Sequence, residues 1–413
     1  MEELRIKNGL QPNHKIVNMF VKPDRLSEEG VAEKAPRAIQ FRHPCFNLVF
    51  SKYTKPMEHE FYPKLTYGNL SGTRAVAKGL NNYERAELVL DKASYFDDPA
   101  YLLIDHSKFD STINVDHLKS THRKYNSCFH SAQLRKLLEA QLKCTGYTKS
   151  GIKYATRGTR MSGDADTGLG NTIVNLDCLW GFLYESGINK YDMLLDGDDS
   201  IVIVERADLV KLRPDMFGKL GFDTKLDIVT DIADVEFCQC KIIFAERPVF
   251  SRDPMRVLSH VQSMRTRPCK WEQVQEWMAG VGACEVACNA GVPVLQVFGE
   301  FFKTPKAVKV DEDFKHRWDL HRGIQPTVIS NEARVSFARA WGIDIHTQLL
   351  MELEGFNPAR TWCKRTVTEF QLISAAQISP IYDVRDVAGY ALWQATGTPR
   401  VGLASSSRRA GVG

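Results

Sequence analysis

Carboxylates placed at the ends of apolar runs are the residues of this chain best suited to chemistry. Asp198 and Asp199 stand side by side in Leu194-Leu195-Asp196-Gly197-Asp198-Asp199-Ser200-Ile201-Val202-Ile203-Val204. Adjacent carboxylates repel each other, and a hard divalent cation that prefers oxygen relieves the repulsion. Well upstream, Asp105 closes the run Tyr101-Leu102-Leu103-Ile104, and Asp110 follows it. Carboxylates from separate strands can hold two metal ions about 3.5–4 Å apart, an arrangement that activates an attacking oxygen and stabilises a leaving one in phosphoryl transfer. Plainer readings stand beside this one: Asp-Gly-Asp-Asp also makes an ordinary solvated turn, and Asp105 also suits a helix N-cap.

The elements that must position these groups are legible nearby. Apolar, β-branched runs flanking Asp196-Gly197 predict two half-buried strands joined by a tight hairpin, and the run before Asp105 predicts another strand. Between them, Arg160-Met161-Ser162-Gly163-Asp164-Ala165-Asp166-Thr167-Gly168-Leu169-Gly170-Asn171 reads as a loop of small residues. Ile173, Leu176, Leu179, Trp180 and Leu183 then recur at helical spacing, so the loop leads into a buried helix. From there Ser162, Thr167 and Asn171 point polar groups toward the carboxylates, unless Ser and Asp merely cap the helix.

Bulk properties bound the answer without finding it. The chain has 413 residues, enough for two or three domains, and 25% of them are charged, with a net charge of only +4. Any nucleic-acid surface must therefore come from clustering. Lys15, Lys22, Arg25, Lys34, Arg37, Arg42, Lys52 and Lys55 supply such a cluster, interleaved with Phe20, Phe41, Phe46 and Tyr53. This pattern fits a phosphate-lined tunnel, or a solvated basic face. The ten cysteines show no paired Cys-x2-Cys knuckles, so buried thiols in a reducing compartment are expected rather than zinc. No run of eighteen apolar residues occurs, because Asn289, Gly291, Pro293 and Gly299 interrupt the stretch from Val286 to Phe302. Helices are expected around Asn82 to Lys92, Leu134 to Lys143, Trp271 to Met278 and Ser330 to Trp341, the last with Ser330 as N-cap.

Asp105 to Asp110 as Asp-x4-Asp, Ser162 to Asn171 as Ser-Gly-x3-Thr-x3-Asn, and Gly197 to Asp199 as Gly-Asp-Asp occur in the order of viral RNA-dependent RNA polymerases. The wording is most similar to the tombusvirus-like polymerases of positive-strand RNA viruses. Lys34-Ala35-Pro36-Arg37-Ala38-Ile39-Gln40, Lys55-Pro56-Met57-Glu58-His59-Glu60, Glu236-Phe237-Cys238-Gln239 and Ala333-Arg334-Val335-Ser336-Phe337 resemble further phrases of that family. The similarity runs from about Phe20 to Glu354.

The resemblance implies an α+β right-hand polymerase: incomplete fingers over residues 1–95, an antiparallel-sheet palm over 96–250, a mostly helical thumb over 251–404 and a disordered tail over 405–413. It implies an RNA-dependent RNA polymerase that replicates a positive-strand viral genome from rNTPs. Asp105, Asp198 and Asp199 would be ligands of two Mg²⁺ ions, replaceable by Mn²⁺. Asp110, Ser162 and Asn171 would read the ribose 2′-hydroxyl, with Gly163 and Thr167 in the same nucleotide-binding loop. Lys22, Lys34 and Arg37 would face the triphosphate, Lys225 would protonate pyrophosphate, and Glu236 to Cys240 would brace the primer end. The implied partners are template and nascent RNA and rNTPs, not DNA, in the host cytoplasm at replication complexes whose membrane association is indirect. Relatives carry longer fingers and a membrane-anchoring region upstream, so the chain reads as a downstream portion of a longer product or as one that takes its missing fingers from a second replicase chain. Asp196 and Asp166 replace residues that relatives often carry uncharged, and both add negative charge near the proposed metals. A reverse transcriptase shares the paired carboxylates but fits the Ser162 to Asn171 phrase less well. A catalytically silent RNA-binding replication protein with a retained palm is the alternative from another class.

Overall fold

The structure, a computed structural model, describes residues 10–22, 35–260, 271–302, 310 and 312–355. These fall into two compact units: residues 10–22, 35–243 and 248–251 in one, and 244–247 with the described residues from 252 onward in the other. The candidate Lys34, the cationic Arg25 and the tail expected over 405–413 lie outside the described residues.

The first unit opens with strands β1 (Val17–Val21) and β2 (Ala38–Arg42), then helices α1 (Pro44–Lys64) and α2 (Asn82–Ala93). Strand β3 (Pro99–His106) leads through the single-turn α3 (Phe109–Thr112) into α4 (Val115–Phe129) and α5 (Ala132–Leu142). Strands β4 (Lys143–Thr148) and β5 (Lys153–Arg157) precede the long α6 (Thr167–Glu185). The hairpin β6 (Tyr191–Asp196) and β7 (Asp199–Glu205), the short α7 (Asp215–Lys219) and β8 (Thr224–Val229) follow. Three short strands, β9 (Glu236–Phe237), β10 (Cys240–Ile243) and β11 (Val249–Arg252), close the unit's sheet structure.

The site rests on a four-stranded antiparallel sheet ordered β6-β7-β3-β8. Central β7 reads Ser-Ile-Val-Ile-Val and is buried along its length, because β-branched side chains pack well on a pleat covered on both faces. Edge strand β8 alternates between half-buried and exposed positions from Thr224 to Asp227, as a strand wetted on one side does, and breaks the pattern at the exposed Ile228. Helix α6 is buried from Leu169 to Leu176 and again at Cys178, Leu179, Phe182 and Leu183, and its exposed end is Tyr184 and Glu185. Val174, Cys178, Leu179 and Phe182 pack on Leu102, Ile104, Val202 and Val204 of the sheet. Leu169 and Ile173 join Phe46 and Phe50 of α1 and Leu134 and Leu138 of α5 in a second core cluster. A helix clamped between two layers has no freedom to slide, so whatever it carries at its N-terminal end is rigidly placed.

A second sheet has the order β2-β1-β4-β5, and β1 pairs with β4 in parallel. It joins residues 17–21 and 38–42 to residues 143–157. Helix α2 begins at the capping box of Asn81 and Glu84, and α5 at the cap Ser131, close to the expected positions.

The second unit is helical among the described residues: α8 (Pro254–His260), α9 (Trp271–Cys288), α10 (Leu295–Phe302), α11 (Glu312–His321), α12 (Asn331–Trp341) and α13 (Ile345–Leu350). Ser330 caps α12 by accepting from the Ala333 amide at 3.1 Å, as its sequence predicts. Helix α9 runs a further ten residues beyond Met278. The interrupted apolar stretch becomes the end of α9 and the separate α10, with Phe298 and Phe302 buried. Among the described residues no helix is long and apolar enough to cross a membrane.

Candidate active site

Asp105 and Asp199 meet across the middle of the first sheet. Strands β3 and β7 pair Ile104 with Ser200, so the next step of the ladder sets Asp105 beside Asp199 on one face. On its other side Asp105 is paired with Lys225 of β8. The β6–β7 ladder ends at Asp196 opposite Asp199, which leaves Gly197 and Asp198 as a two-residue turn. Gly197 has φ +75°, a conformation that side chains resist, and this is why the hairpin can be so tight. Asp105 does not cap a helix: the residue before α3 is Lys108, which lies in the left-handed region and makes no side-chain cap.

The electrostatics of this end of the sheet are unbalanced. Burial pushes the Asp199 carboxyl up to about 6, reinforced by Asp198, Asp105 and Asp196, with a Cys238 hydrogen bond opposing. The Asp198 carboxyl is also raised, by burial first and then by Asp110 and Asp105. Among the described residues none of Asp105, Asp198 and Asp199 forms an ion pair. Groups that gain from losing their charge repulsion, all oxygen donors, fit a hard divalent cation.

Asp196 and Asp166, expected to add charge at the metals, are both paired with cations, although Asp196 still adds to the repulsion that raises Asp199. Asp196 is gripped by Lys78 at 2.5 Å and Arg85 at 2.6 Å. Burial opposes its ionisation, yet the two cations together hold its carboxyl below the ordinary value. Asp166 is fully buried and bonds Arg160 at 2.7 Å and Gln141 at 2.8 Å. The partners of Asp196 come from segments more than a hundred residues away, whereas Arg160 stands six residues before Asp166 in the same loop.

Asn171, one turn into α6, donates from Nδ2 to Asp110 at 2.7 Å, as a shared polar site requires. Its Oδ1 is buried and has no hydrogen-bond partner. Burial raises the Asp110 carboxyl, against the pull of Asn171 and Arg160. The backbone of Asp110 is held from behind by the Arg160 amide at 2.8 Å. Ser162 and Thr167 face elsewhere than expected. The Ser162 oxygen accepts from the Gln40 amide at 3.2 Å, and the Thr167 hydroxyl bonds the Met161 and Asp164 carbonyls at 2.8 and 2.9 Å. They shape the loop instead of reaching the carboxylates. Gly163 lies against β2 so closely that a Cβ would stand 2.7 Å from the Phe41 Cβ. Its amide donates to Gln40 and its carbonyl accepts from Asn47.

The basic cluster divides. Arg42 is buried and paired with Asp164 at 3.0 Å, so it belongs to the interior and not to a tunnel wall. Lys22 and Arg37 are exposed neighbours at the open end of the β1–β2 ladder, where the Lys22 amide donates to the Arg37 carbonyl at 2.8 Å. Lys225 is exposed, its ammonium bonded to Asp227 and its pKa raised by that bond first, with Asp105 adding to the effect. Glu236 to Cys240 is a hairpin and not a single strand: Cys238 and Gln239 both have positive φ, 52° and 62°, between β9 and β10.

Sequence reasoning missed Asn175. It stands four residues after Asn171, on the same face of α6, and donates from Nδ2 to the Gly197 and Asp198 carbonyls at 2.9 and 3.1 Å. That spacing was the available signal. Lys78, Arg85 and Arg160 carried none. Among the described residues His14, His43 and Cys45 bring three further ligand atoms within 4.8 Å. The two rings are stacked with planes only 13° apart, so their in-plane lone pairs cannot converge on one ion.

Comparison with known proteins places the chain in a family. A family model described as viral RNA dependent RNA polymerase matches residues 1–361. The chain is 33% identical over 367 residues to the RNA-directed RNA polymerase of Groundnut rosette virus, covering 83% of this chain and 43% of that protein. It is 32% identical over 356 residues to that of Tobacco necrosis virus (strain A), covering 81% and 48%. It is 30% identical over 355 residues to that of Cucumber necrosis virus, covering 81% and 42%. The chain thus spans about half the length of these relatives or slightly less. With a family match across most of its length and three motifs in the family's order, the chain belongs to the viral RNA-dependent RNA polymerases.

Proposed function

We propose that this chain catalyses RNA-templated addition of rNTPs to an RNA 3′ end in replication of a positive-strand viral genome. The observation that carries the reading is the gathering of Asp105, exposed, with Asp198 and Asp199, half-buried, at the end of one sheet with no ion pair among the described residues. These three would hold two Mg²⁺ ions, with Mn²⁺ as a substitute. Such ions, when bound, lower the pKa of the attacking 3′-hydroxyl and neutralise charge on the departing pyrophosphate.

The chain's own groups do the selecting and orienting. Asn171 Oδ1, lacking a partner, is placed to accept from a ribose 2′-hydroxyl, and Asp110 holds the amide in that orientation. A deoxynucleotide would leave this buried acceptor unsatisfied, which is how such a site discriminates. Ser162 and Gly163, pinned to β2, form the wall of the nucleotide site. Arg37 and Lys22 offer donors to the triphosphate, with Lys34 beside them in sequence. Lys225, next to Asp105 and held in its ammonium form, donates the proton that pyrophosphate takes up. The sheet β6-β7-β3-β8 is the palm in this reading, the sheet β2-β1-β4-β5 with α1 the fingers, and the helical second unit the thumb.

The test is incorporation of labelled rNTPs on an RNA template with Mg²⁺ and then Mn²⁺, beside Asp198→Ala and beside dNTPs. The expected result is rNTP-dependent synthesis that the variant loses while it still binds RNA. RNA binding without synthesis under either metal would point to the silent replication protein, and equal use of dNTPs would end the ribose assignment.

A further inference from the structure

Asn175 lies at the centre of a buried chain of hydrogen bonds that no proposed catalytic role uses. Its side chain is fully buried, as is the ring of His106, which follows Asp105 in β3. The Asn175 amide faces two carbonyls, those of Gly197 and Asp198, and carbonyls only accept. Nδ2 must therefore point at the turn. Oδ1 is then left facing His106 Nε2 at 3.3 Å, so the ring must donate from Nε2. In the neutral ring Nδ1 becomes an acceptor, and it meets the Thr224 hydroxyl at 2.8 Å. Phe109 and Phe222 each lie 5.1 Å from the His106 ring and fix its plane. Every orientation in the chain is thus determined by the one before it.

We propose that Asn175 is a positioning residue that pins the Gly197-Asp198 turn against α6, with His106 holding its amide in the productive orientation, so that Asp198 stays within reach of a metal shared with Asp105. The inference rests on the metal-binding role proposed for Asp105 and Asp198. A two-residue turn at the end of a hairpin is the part of a sheet most free to move. Here its two carbonyls are tied to a helix that is itself clamped between two layers. The tie acts on the backbone of the residue whose carboxylate matters.

The test is Mn²⁺ binding to the full chain, read from the free-ion electron paramagnetic resonance signal, with RNA binding and rNTP incorporation measured on the same preparations. Asn175→Leu keeps the shape and removes the donors; it should weaken Mn²⁺ binding about tenfold, as loss of groups behind a metal ligand typically does. His106→Phe keeps the stacking and frees the amide to turn; it should weaken binding by less, about two- to fivefold. RNA affinity should be unchanged in both. If both variants bind Mn²⁺ as tightly as the parent and lose only thermal stability, the role is structural and the proposal fails. A parent chain that binds Mn²⁺ but incorporates no rNTP would overturn the polymerase reading, while the Mn²⁺ comparison would still decide the positioning. A parent that binds no Mn²⁺ overturns both.

Discussion

Asp164 and Asp166 share the interior of the first unit with Arg42, Arg160 and Gln141, whereas Asp105, Asp198 and Asp199 stand at the end of its sheet without an ion pair. The two groups of acids belong to the chain's motifs and look alike in sequence. Their surroundings differ completely. In the first, each carboxylate has a guanidinium and an amide, and its charge is spent on holding the loop from Arg160 to Thr167 in one shape. In the second, burial and mutual repulsion raise the Asp198 and Asp199 carboxyls, so the group gains most from an added cation. Asp196 shows how narrow the divide is: three residues from Asp199, it is fully satisfied by Lys78 and Arg85.

Removing one member of the satisfied group should have the largest effect on stability. Arg160→Met leaves Asp166 charged and buried with no counterion, and is expected to cost about 3–5 kcal/mol. Urea denaturation reads this directly, and an unchanged midpoint would erase the distinction between the two groups. At the other end, Lys225→Ala should lower the rate of nucleotide addition on the order of 10²-fold if the ammonium is the proton donor, and flatten the alkaline limb of the pH profile. A loss confined to KM would assign Lys225 to binding alone. Asn171→Ala should narrow the preference for rNTP over dNTP by at least about tenfold, measured by competition on one template. Preference left intact would move ribose recognition elsewhere.

The smallest effect concerns protons. In the folded, metal-free chain the Asp199 carboxyl titrates at about 6, above its ordinary value of 3.8. The fold therefore binds that proton more tightly than the unfolded chain does. Its contribution to stability is fully present below about pH 3.8 and is lost as pH rises through about 6. Asp199→Asn should accordingly stabilise the metal-free chain at pH 8 by about 1–2 kcal/mol and give no gain at pH 4. Thermal melts at the two pH values check this. Saturating Mg²⁺ should reverse the order at pH 8, since only the parent keeps the full ligand set. Below pH 6 the parent should need more Mg²⁺ for the same activity, because a protonated carboxyl is a poor ligand.

Much of the site was legible because its parts are local. The Asp-Gly turn, the strand ending at Asp105 and the helical period after Thr167 each depend on neighbours within a few residues, and each was found where expected. Asp110 and Asn171, grouped by the family resemblance, are hydrogen-bonded to each other in the structure. What misled was charge. Arg42 read as a cation for RNA and is a buried partner of Asp164, and Asp166 read as a neighbour of metals and is a buried partner of Arg160. Ser162 and Thr167 read as groups aimed at the carboxylates and instead tie the loop to β2 and to itself. A charged side chain looks the same in sequence whether it faces water or its opposite.

By itself the sequence determined the residue types, the order of the three motifs and the local elements that carry them, because hydrophobic period and turn chemistry act over short distances. Only the tertiary structure decided which acids are compensated. It also decided that residues 17–21 and 38–42 share a sheet with residues 143–157, and that His106, Asn175 and the Gly197-Asp198 turn form one hydrogen-bonded chain. Apart from the Arg160–Asp166 pair, these are contacts between segments far apart in the chain. Electrostatic energy depends on distance and burial in space, and neither is written in the order of the residues.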